Sequence, residues 1–291
     1  MKVGFVSIIG RPNVGKSTLL NALMGRKVTI VSPTPQTTRH RILGVKTTEK
    51  GQIIFMDNPG IHRPLHKLNE LMMERVYESL KDSDLILLVV DITQPFGKGD
   101  QFVIDMLKEA KPPKFLVINK IDLVSKGKAL PVIDLYKDLL DFKEIVPVSA
   151  YKGTNLDLLE DLIYKYLPEG ELLFPSETVT NISDRFLISE IIREKLLHRL
   201  KAELPYSIGV LVEKIEDRED LLYIYAVIFV EKENHKKIVI GKGGENLKIV
   251  GTRAREELEF IFGKKIYLEL VVKVRKGWRD DPSILAMLEN Q

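Results

Sequence analysis

The chain has 291 residues, 44% hydrophobic and 29% charged, which suits a soluble globular protein long enough for two domains. It contains no cysteine, excluding disulfides, thiolate zinc sites and iron–sulfur clusters, and its five histidines are scattered, so any metal should arrive with its ligand. The formal charge of +3 is too small to imply nucleic acid by itself, yet residues 232–279 hold thirteen Lys/Arg against six Glu.

Residues 3–9 form an apolar, β-branched run that reads as a buried strand, and residues 17–23 read as the start of a helix. Between them Gly10-Arg11-Pro12-Asn13-Val14-Gly15-Lys16-Ser17 fits the phosphate-loop pattern G-x-x-x-x-G-K-S/T, in the required order of strand, loop and helix. The glycines let the backbone curl, so that successive N–H groups and the helix N-terminus, as far as Thr18, face a polyphosphate. Lys16 would bridge the β- and γ-phosphates, and the Ser17 hydroxyl would hold Mg²⁺. A turn needing glycine only for its backbone angles is disfavoured, because Lys and Ser both stand in place.

Residues 26–46 carry five basic groups and no acid around Ser32-Pro33-Thr34-Pro35-Gln36-Thr37-Thr38, and are expected to be an exposed loop. In nucleotide switches such a loop supplies a threonine that reaches Mg²⁺ when the γ-phosphate is present; Thr38 is the candidate and Thr37 the fallback. A second strand, 52–56, delivers Asp57-Asn58-Pro59-Gly60, where Asp57 would accept from the waters of the metal and Gly60 would offer its N–H to the γ-phosphate. A helix over 67–81, a central strand over 84–92, a helix over 100–110 and a strand over 114–118 follow.

The last of these strands ends in Asn119-Lys120-Ile121-Asp122. A carboxylate at Asp122 can accept from both the N1–H and the N2 amino group of guanine, whereas ATP would leave it unpaired, at a cost of roughly 1.5–3 kcal/mol per lost charged hydrogen bond. Asn119 would brace the loop, and the alkyl stem of Lys120 would cover the ring. A further strand, 144–148, brings the backbone of Ser149 and Ala150 to the guanine carbonyl, and a helix over 155–167 closes the fold.

These five ordered motifs resemble those of a translation-factor-type small GTPase, with an α/β, doubly wound sheet and the ligand at the carboxyl ends of its strands. After a linker, a long helix over 183–204, strands over 207–216 and 221–231, a helix ending near 262 and a strand over 265–276 are expected. Ile240-Gly241-Lys242-Gly243-Gly244 matches the centre of a KH domain, whose G-x-x-G clamps about four nucleotides. Its context gives the α-β-β-α-α-β order of a smaller α+β type II KH domain, with Lys236, Lys237, Lys242, Lys248 and Arg253 as phosphate contacts. Trp278 would stack on a base, support the RNA groove or cap the core, and the tail reads as a short helix. The expected division is a GTPase domain over 1–170, a linker over 171–182, a KH domain over 183–280 and a tail over 281–291.

A GTPase followed by one type II KH domain resembles the Era family of bacterial ribosome-assembly GTPases. The likeness includes Gln36-Thr37-Thr38-Arg39-His40-Arg41, Ser189-Glu190-Ile191-Ile192-Arg193-Glu194 and Glu203-Leu204-Pro205-Tyr206. It implies Mg²⁺-dependent GTP hydrolysis to GDP, coupled to binding the 3′ end of 16S rRNA on the 30S subunit. Where the family has Asp-Thr-Pro-Gly this chain has Asn58, and the Asp and Gly are kept. Related GTPases use an asparagine matching Asn13 to hold K⁺. Ile61 stands where many GTPases place a water-positioning Gln, so slow intrinsic turnover is expected.

The γ-phosphate is expected to order residues 26–46 and the loop after Gly60, changing how the first domain holds the second. The rival readings are a P-loop ATPase or nucleoside kinase, and a non-catalytic guanine-nucleotide-gated RNA scaffold. No apolar run approaches the ~20 residues of a membrane helix and no signal-peptide pattern opens the chain, so a cytoplasmic monomer is expected. The basic surface would allow weak peripheral contact with anionic lipid at the inner face of the membrane, although no amphipathic anchor stands out.

Overall fold

The computed structural model describes residues 1–34, 37–61, 66–200 and 204–291, in two compact units that divide near Asn181 and Ile182. Pro35 of the proline-broken loop, Gln36 and Glu203 of the family-like stretches, and residues 62–65 of the loop after Gly60, lie outside the described residues.

The first unit is built on a six-stranded sheet. Its strands are β1 (Lys2–Ile9), β2 (Ile42–Thr48), β3 (Gly51–Asp57), β4 (Leu85–Asp91), β5 (Lys114–Asn119) and β6 (Phe142–Pro147), in the order β2-β3-β1-β4-β5-β6. Only β2 runs antiparallel to its neighbour. The helices are α1 (Lys16–Met24), α2 (Lys67–Asp82), α3 (Lys98–Lys108), α4 (Ala129–Tyr136) and α5 (Leu156–Tyr166). Every residue of β4 is buried, which is why its sequence is a continuous apolar run. Register decides the site: Ile8 pairs with Asp57 and Asp91 with Asn119, so the loops leaving β1, β3 and β5 emerge at one end of the sheet.

One expectation for this unit is corrected. Residues 26–46 are not one exposed loop, because Val28, Thr29 and Ile30 are buried and Ile42–Thr48 pair along the whole of β3. The basic count hid that strand; Lys46 lies within it, 2.5 Å from Glu160 of α5. Helix α4 was not foreseen. The residues expected as a linker are laid along the first unit, with Val45 N donating to Val179 O (2.8 Å) and Leu43 N to the Asn181 side chain (3.1 Å), which covers the β2 edge. The buried amide of Gln52 accepts from Leu173 N and Phe174 N and donates to Phe174 O.

The second unit follows the order α6 (Asp184–Arg199), β7 (Gly209–Arg218), β8 (Leu221–Val230), α7 (Glu233–Ile240), α8 (Glu245–Phe262) and β9 (Ile266–Val274). Ser183 caps α6 by accepting from Phe186 N at 3.1 Å, and the helix stops at Arg199, short of the expected 204. The sheet order is β7-β8-β9, antiparallel then parallel. Alternate residues of β8, Ile224, Ala226, Ile228 and Val230, share a core with Ile188, Ile191, Ile192, Val250, Ala254 and Leu258 of the helices. The tail helix α9 (Pro282–Glu289) is capped by Asp281 and buries Leu285 and Leu288. Base stacking by Trp278 is corrected: its ring is fully buried against Gly209 and its indole N–H donates to Ser207 O at 3.0 Å. Among the described residues no helix is long and apolar enough to cross a membrane.

Candidate functional site

The phosphate loop joins β1 to α1. Lys16 is buried at the first position of α1 and donates from Nζ to Gly10 O (3.0 Å) and Arg11 O (2.8 Å). Burial lowers its pKa to about 8, opposed by the charge of Asp57. Asp57, at the end of β3, is fully buried; desolvation pushes its pKa up, against the pull of Lys16 and the hydroxyls of Ser17, Thr29 and Thr38. Ser17 Oγ donates to Asp57 Oδ2 at 2.8 Å and is 2.9 Å from Thr38 Oγ1, which is 3.4 Å from the same Oδ2.

Three hard oxygen donors therefore meet, and Asp57 Oδ1 has no hydrogen-bond partner among the described residues. That donor set fits Mg²⁺. Thr38 is buried here, as a metal ligand would be.

Other candidates are placed as follows. The Arg11 side chain is paired with α3, its Nε 3.1 Å from Asp100 Oδ1, while Asp100 Oδ2 accepts from Gly97 N and the Arg11 carbonyl accepts from Lys16. The Val14 side chain is buried, Thr18 is half-buried on α1, and exposed Asn13 has φ 65°. Ile61 is buried among Met73 and Val76, with its N–H donating to Gly10 O at 3.2 Å. Its side chain therefore holds no water. Asn58 is a buried brace, donating to Met56 O (3.0 Å).

The residues expected to read guanine are tied to the phosphate loop. Asn119 Nδ2 donates to Val14 O (3.0 Å), and its Oδ1 accepts from Ala150 N (3.0 Å), an N–H expected to be offered to guanine. Lys120, at φ 66°, donates to Asn13 O (2.8 Å) and to Asp91 Oδ2 (2.6 Å), stretching its stem across the loop. Ser149 Oγ donates to Asp122 Oδ1 at 2.6 Å, which aims that carboxylate. The partners Asp91 and Asp100 carry no local motif and were missed.

In the second unit the Gly241–Gly244 loop joins α7 to α8. Gly241 has φ 78°, and a Cβ there would stand 2.8 Å from Asn246 N, so the turn needs glycine. Beside it a groove of about 350 Å³ runs between α8 and β9, with Leu247, Leu268 and Leu270 as apolar floor and Lys248 and Arg255 at its rim. Lys242 and Gly243 are exposed at the loop, and Lys237 is exposed on α7 beside half-buried Lys236 and Ile240. Arg253 is not brought to this groove. It lies on the other flank of α8 with Phe260 and His198, because two residues turn a helix by about 200°. Helical phase would have selected Arg255 instead.

Fold and site together define a P-loop GTPase followed by a type II KH domain. A family described as 50S ribosome-binding GTPase matches residues 5–120, and the KH domain family matches residues 203–279. The GTPase Era of Heliobacterium modesticaldum is 50% identical over 286 residues, covering 98% of this chain and 96% of that one. The chain belongs to the Era family of GTPases. Among solved structures, a singly substituted Aquifex aeolicus Era bound to GDP and AlF4⁻ superposes with a TM-score of 0.94 at 44% identity, covering 99% of each chain. An Era in complex with MgGDPNP and nucleotides 1506–1542 of 16S ribosomal RNA gives 0.94 at 45% identity, covering 99% of this chain and 98% of that one.

Proposed function

We propose that this chain binds GTP with Mg²⁺, hydrolyses it slowly, and uses the nucleotide state to gate binding of 16S rRNA near its 3′ end during 30S subunit assembly. The observation that carries the reading is the convergence of Ser17, Thr38 and Asp57 beside Lys16, tied through Asn119 to the guanine-reading loops. The rRNA part is supported by the second unit's groove and by the RNA complex of the related Era. The working division is a GTPase domain over 1–170, a connecting segment over 171–182, a KH domain over 183–280 and a tail over 281–291. A cytoplasmic monomer with weak peripheral membrane contact is part of the same proposal.

In the mechanism, the Lys16 amine leaves the carbonyls of Gly10 and Arg11 for the β- and γ-phosphates, whose charge restores its full protonation. Ser17 and Thr38 would hold Mg²⁺ with Asp57 behind them, and the ion would supply positive charge against the charge that develops on the phosphates. Gly60 would present its N–H to the γ-phosphate. Because Ile61 is in the core, the attacking water would be held by backbone groups, the Mg²⁺ shell or a partner group, and turnover is slow. Asn13 would contribute to a K⁺ site that takes over part of the charge stabilisation. GTP hydrolysis should then run faster in K⁺ than in Na⁺ buffer, and equal rates would remove K⁺ from the mechanism.

RNA contacts fall to Gly241–Gly244, Lys236, Lys237, Lys242, Lys248 and Ile240, with Arg253 outside the groove. The test is titration of a single-stranded RNA matching the 16S 3′ end, and a scrambled control, against protein loaded with GDP or a non-hydrolysable GTP analogue. Tighter, sequence-selective binding in the GTP form is the expected result; indifference to both would overturn the gating. Lys242→Ala with Lys248→Ala should weaken binding and reduce the slope of log affinity against log salt by about 1.4, from about 0.7 per phosphate lost.

A further inference from the structure

Thr29 lies behind the carboxylate of the metal site, in a stretch whose basic flanks made it look exposed. One side chain of α1 fixes it: Asn21 Oδ1 accepts from Val28 N (2.7 Å) and Thr29 N (3.0 Å), and Asn21 Nδ2 donates to Thr29 O (2.8 Å). With its backbone held on both sides, Thr29 has its side chain buried, 3% exposed. The hydroxyl is close enough to Asp57 to favour the ionised carboxyl, together with Ser17 and Thr38. Yet among the described residues neither Thr29 Oγ1 nor Asp57 Oδ1 has a hydrogen-bond partner. Ser17 and Thr38 occupy only Oδ2.

Two buried oxygens, a donor and an acceptor on neighbouring side chains, are thus left without partners, an arrangement that is costly unless something completes it. We propose that Thr29 is a positioning residue for Asp57: its hydroxyl donates to Oδ1, directly or through one water, and holds the carboxylate in the orientation that Mg²⁺ binding requires. The inference rests on the reading of Asp57 as the carboxylate of the metal site. Asn21 sets the distance, and Thr29 sets the rotation of the carboxylate. Neither residue touches nucleotide in this assignment, so the effect is on metal affinity and not on guanine recognition.

The test uses the full chain loaded with fluorescent GDP, with the rate of nucleotide release measured against Mg²⁺ concentration. Thr29→Val removes the hydroxyl and keeps the branched shape; Thr29→Ser keeps the hydroxyl and removes the methyl. The valine variant should need about tenfold more Mg²⁺ to slow release to half, while the serine variant stays within about twofold of the parent. GDP affinity measured in excess EDTA should be the same for all three.

A valine midpoint equal to the parent's overturns the proposal, as does a serine midpoint shifted as far as the valine one, which would show packing to be the cause. If the valine variant does not fold, Thr29→Ala against Thr29→Ser gives the same comparison. A parent chain whose GDP release ignores Mg²⁺ would overturn the metal-site reading itself, whereas a parent that responds beside an unshifted valine variant overturns only the role of Thr29.

Discussion

Asp122→Asn should bind GDP about 10²- to 10⁴-fold more weakly than the parent chain and should bind the xanthine nucleotide more tightly than the parent does. Asp122 is exposed, with one carboxylate oxygen accepting from Ser149 Oγ at 2.6 Å. In the proposed site guanine would present two donors to it, N1–H and the N2 amino group. An asparagine keeps one acceptor and turns a donor amide toward the amino group, so two charged hydrogen bonds become one neutral bond and one repulsive contact. At roughly 1.5–3 kcal/mol for each charged bond, the loss spans the stated range. Xanthine carries an oxygen in place of the amino group and keeps N1–H, so the same amide pairs with it fully. Competition of GDP and the xanthosine diphosphate against a fluorescent nucleotide measures both effects. Retention of GDP affinity within threefold would show that Asp122 does not read the base, and the assignment of the guanine site would fall with it.

The candidate nucleotide site was legible because its chemistry demands particular residue types at fixed spacing within short stretches, Gly10 to Ser17, Asp57 to Gly60 and Asn119 to Asp122, and the glycines at 241 and 244 marked the loop of the second unit in the same way. What could not be read was the support behind those stretches. Asp100 reaches Arg11 and Asp91 reaches Lys120 across the sheet, and nothing in the sequence around an ordinary aspartate marks such a partnership. The Asn21 clamp on Val28 and Thr29 is hidden for the same reason. Strand β2 was missed because its basic residue and its proline-rich approach outweighed its apolar positions, although pairing with β3 along seven residues decides its conformation. In the second unit the sequence left Trp278 between stacking on a base, supporting the groove and capping the core, and packing decides for the core, with its indole N–H donating to Ser207 O.

Gly15→Ala should cost about 100-fold or more in GDP affinity, through a clash that reaches the guanine loop and not the phosphates alone. Gly15 has φ 98°, and a Cβ there would stand 2.3 Å from Asn119 Nδ2. Asn119 is 2% exposed and cannot move toward solvent without releasing Val14 O and Ala150 N, the two groups it joins at 3.0 Å. Each buried group left without a partner costs about 1–3 kcal/mol, and one such loss near the upper end already corresponds to about 100-fold in binding. Backbone strain alone adds about 1–2 kcal/mol for a non-glycine residue in this region. Gly25→Ala separates the two causes. Gly25 also has positive φ, 66°, but a Cβ there would meet open space, with no neighbouring atom within 4 Å. That variant should lose stability by the strain alone and bind GDP as the parent does. Isothermal titration with GDP, beside thermal melts of the nucleotide-free proteins, distinguishes them. If the two alanine variants weaken GDP binding equally, strain accounts for the glycine and the Asn119 junction does not couple the phosphate loop to the base-reading loops; a large difference places that coupling in the one amide that touches both.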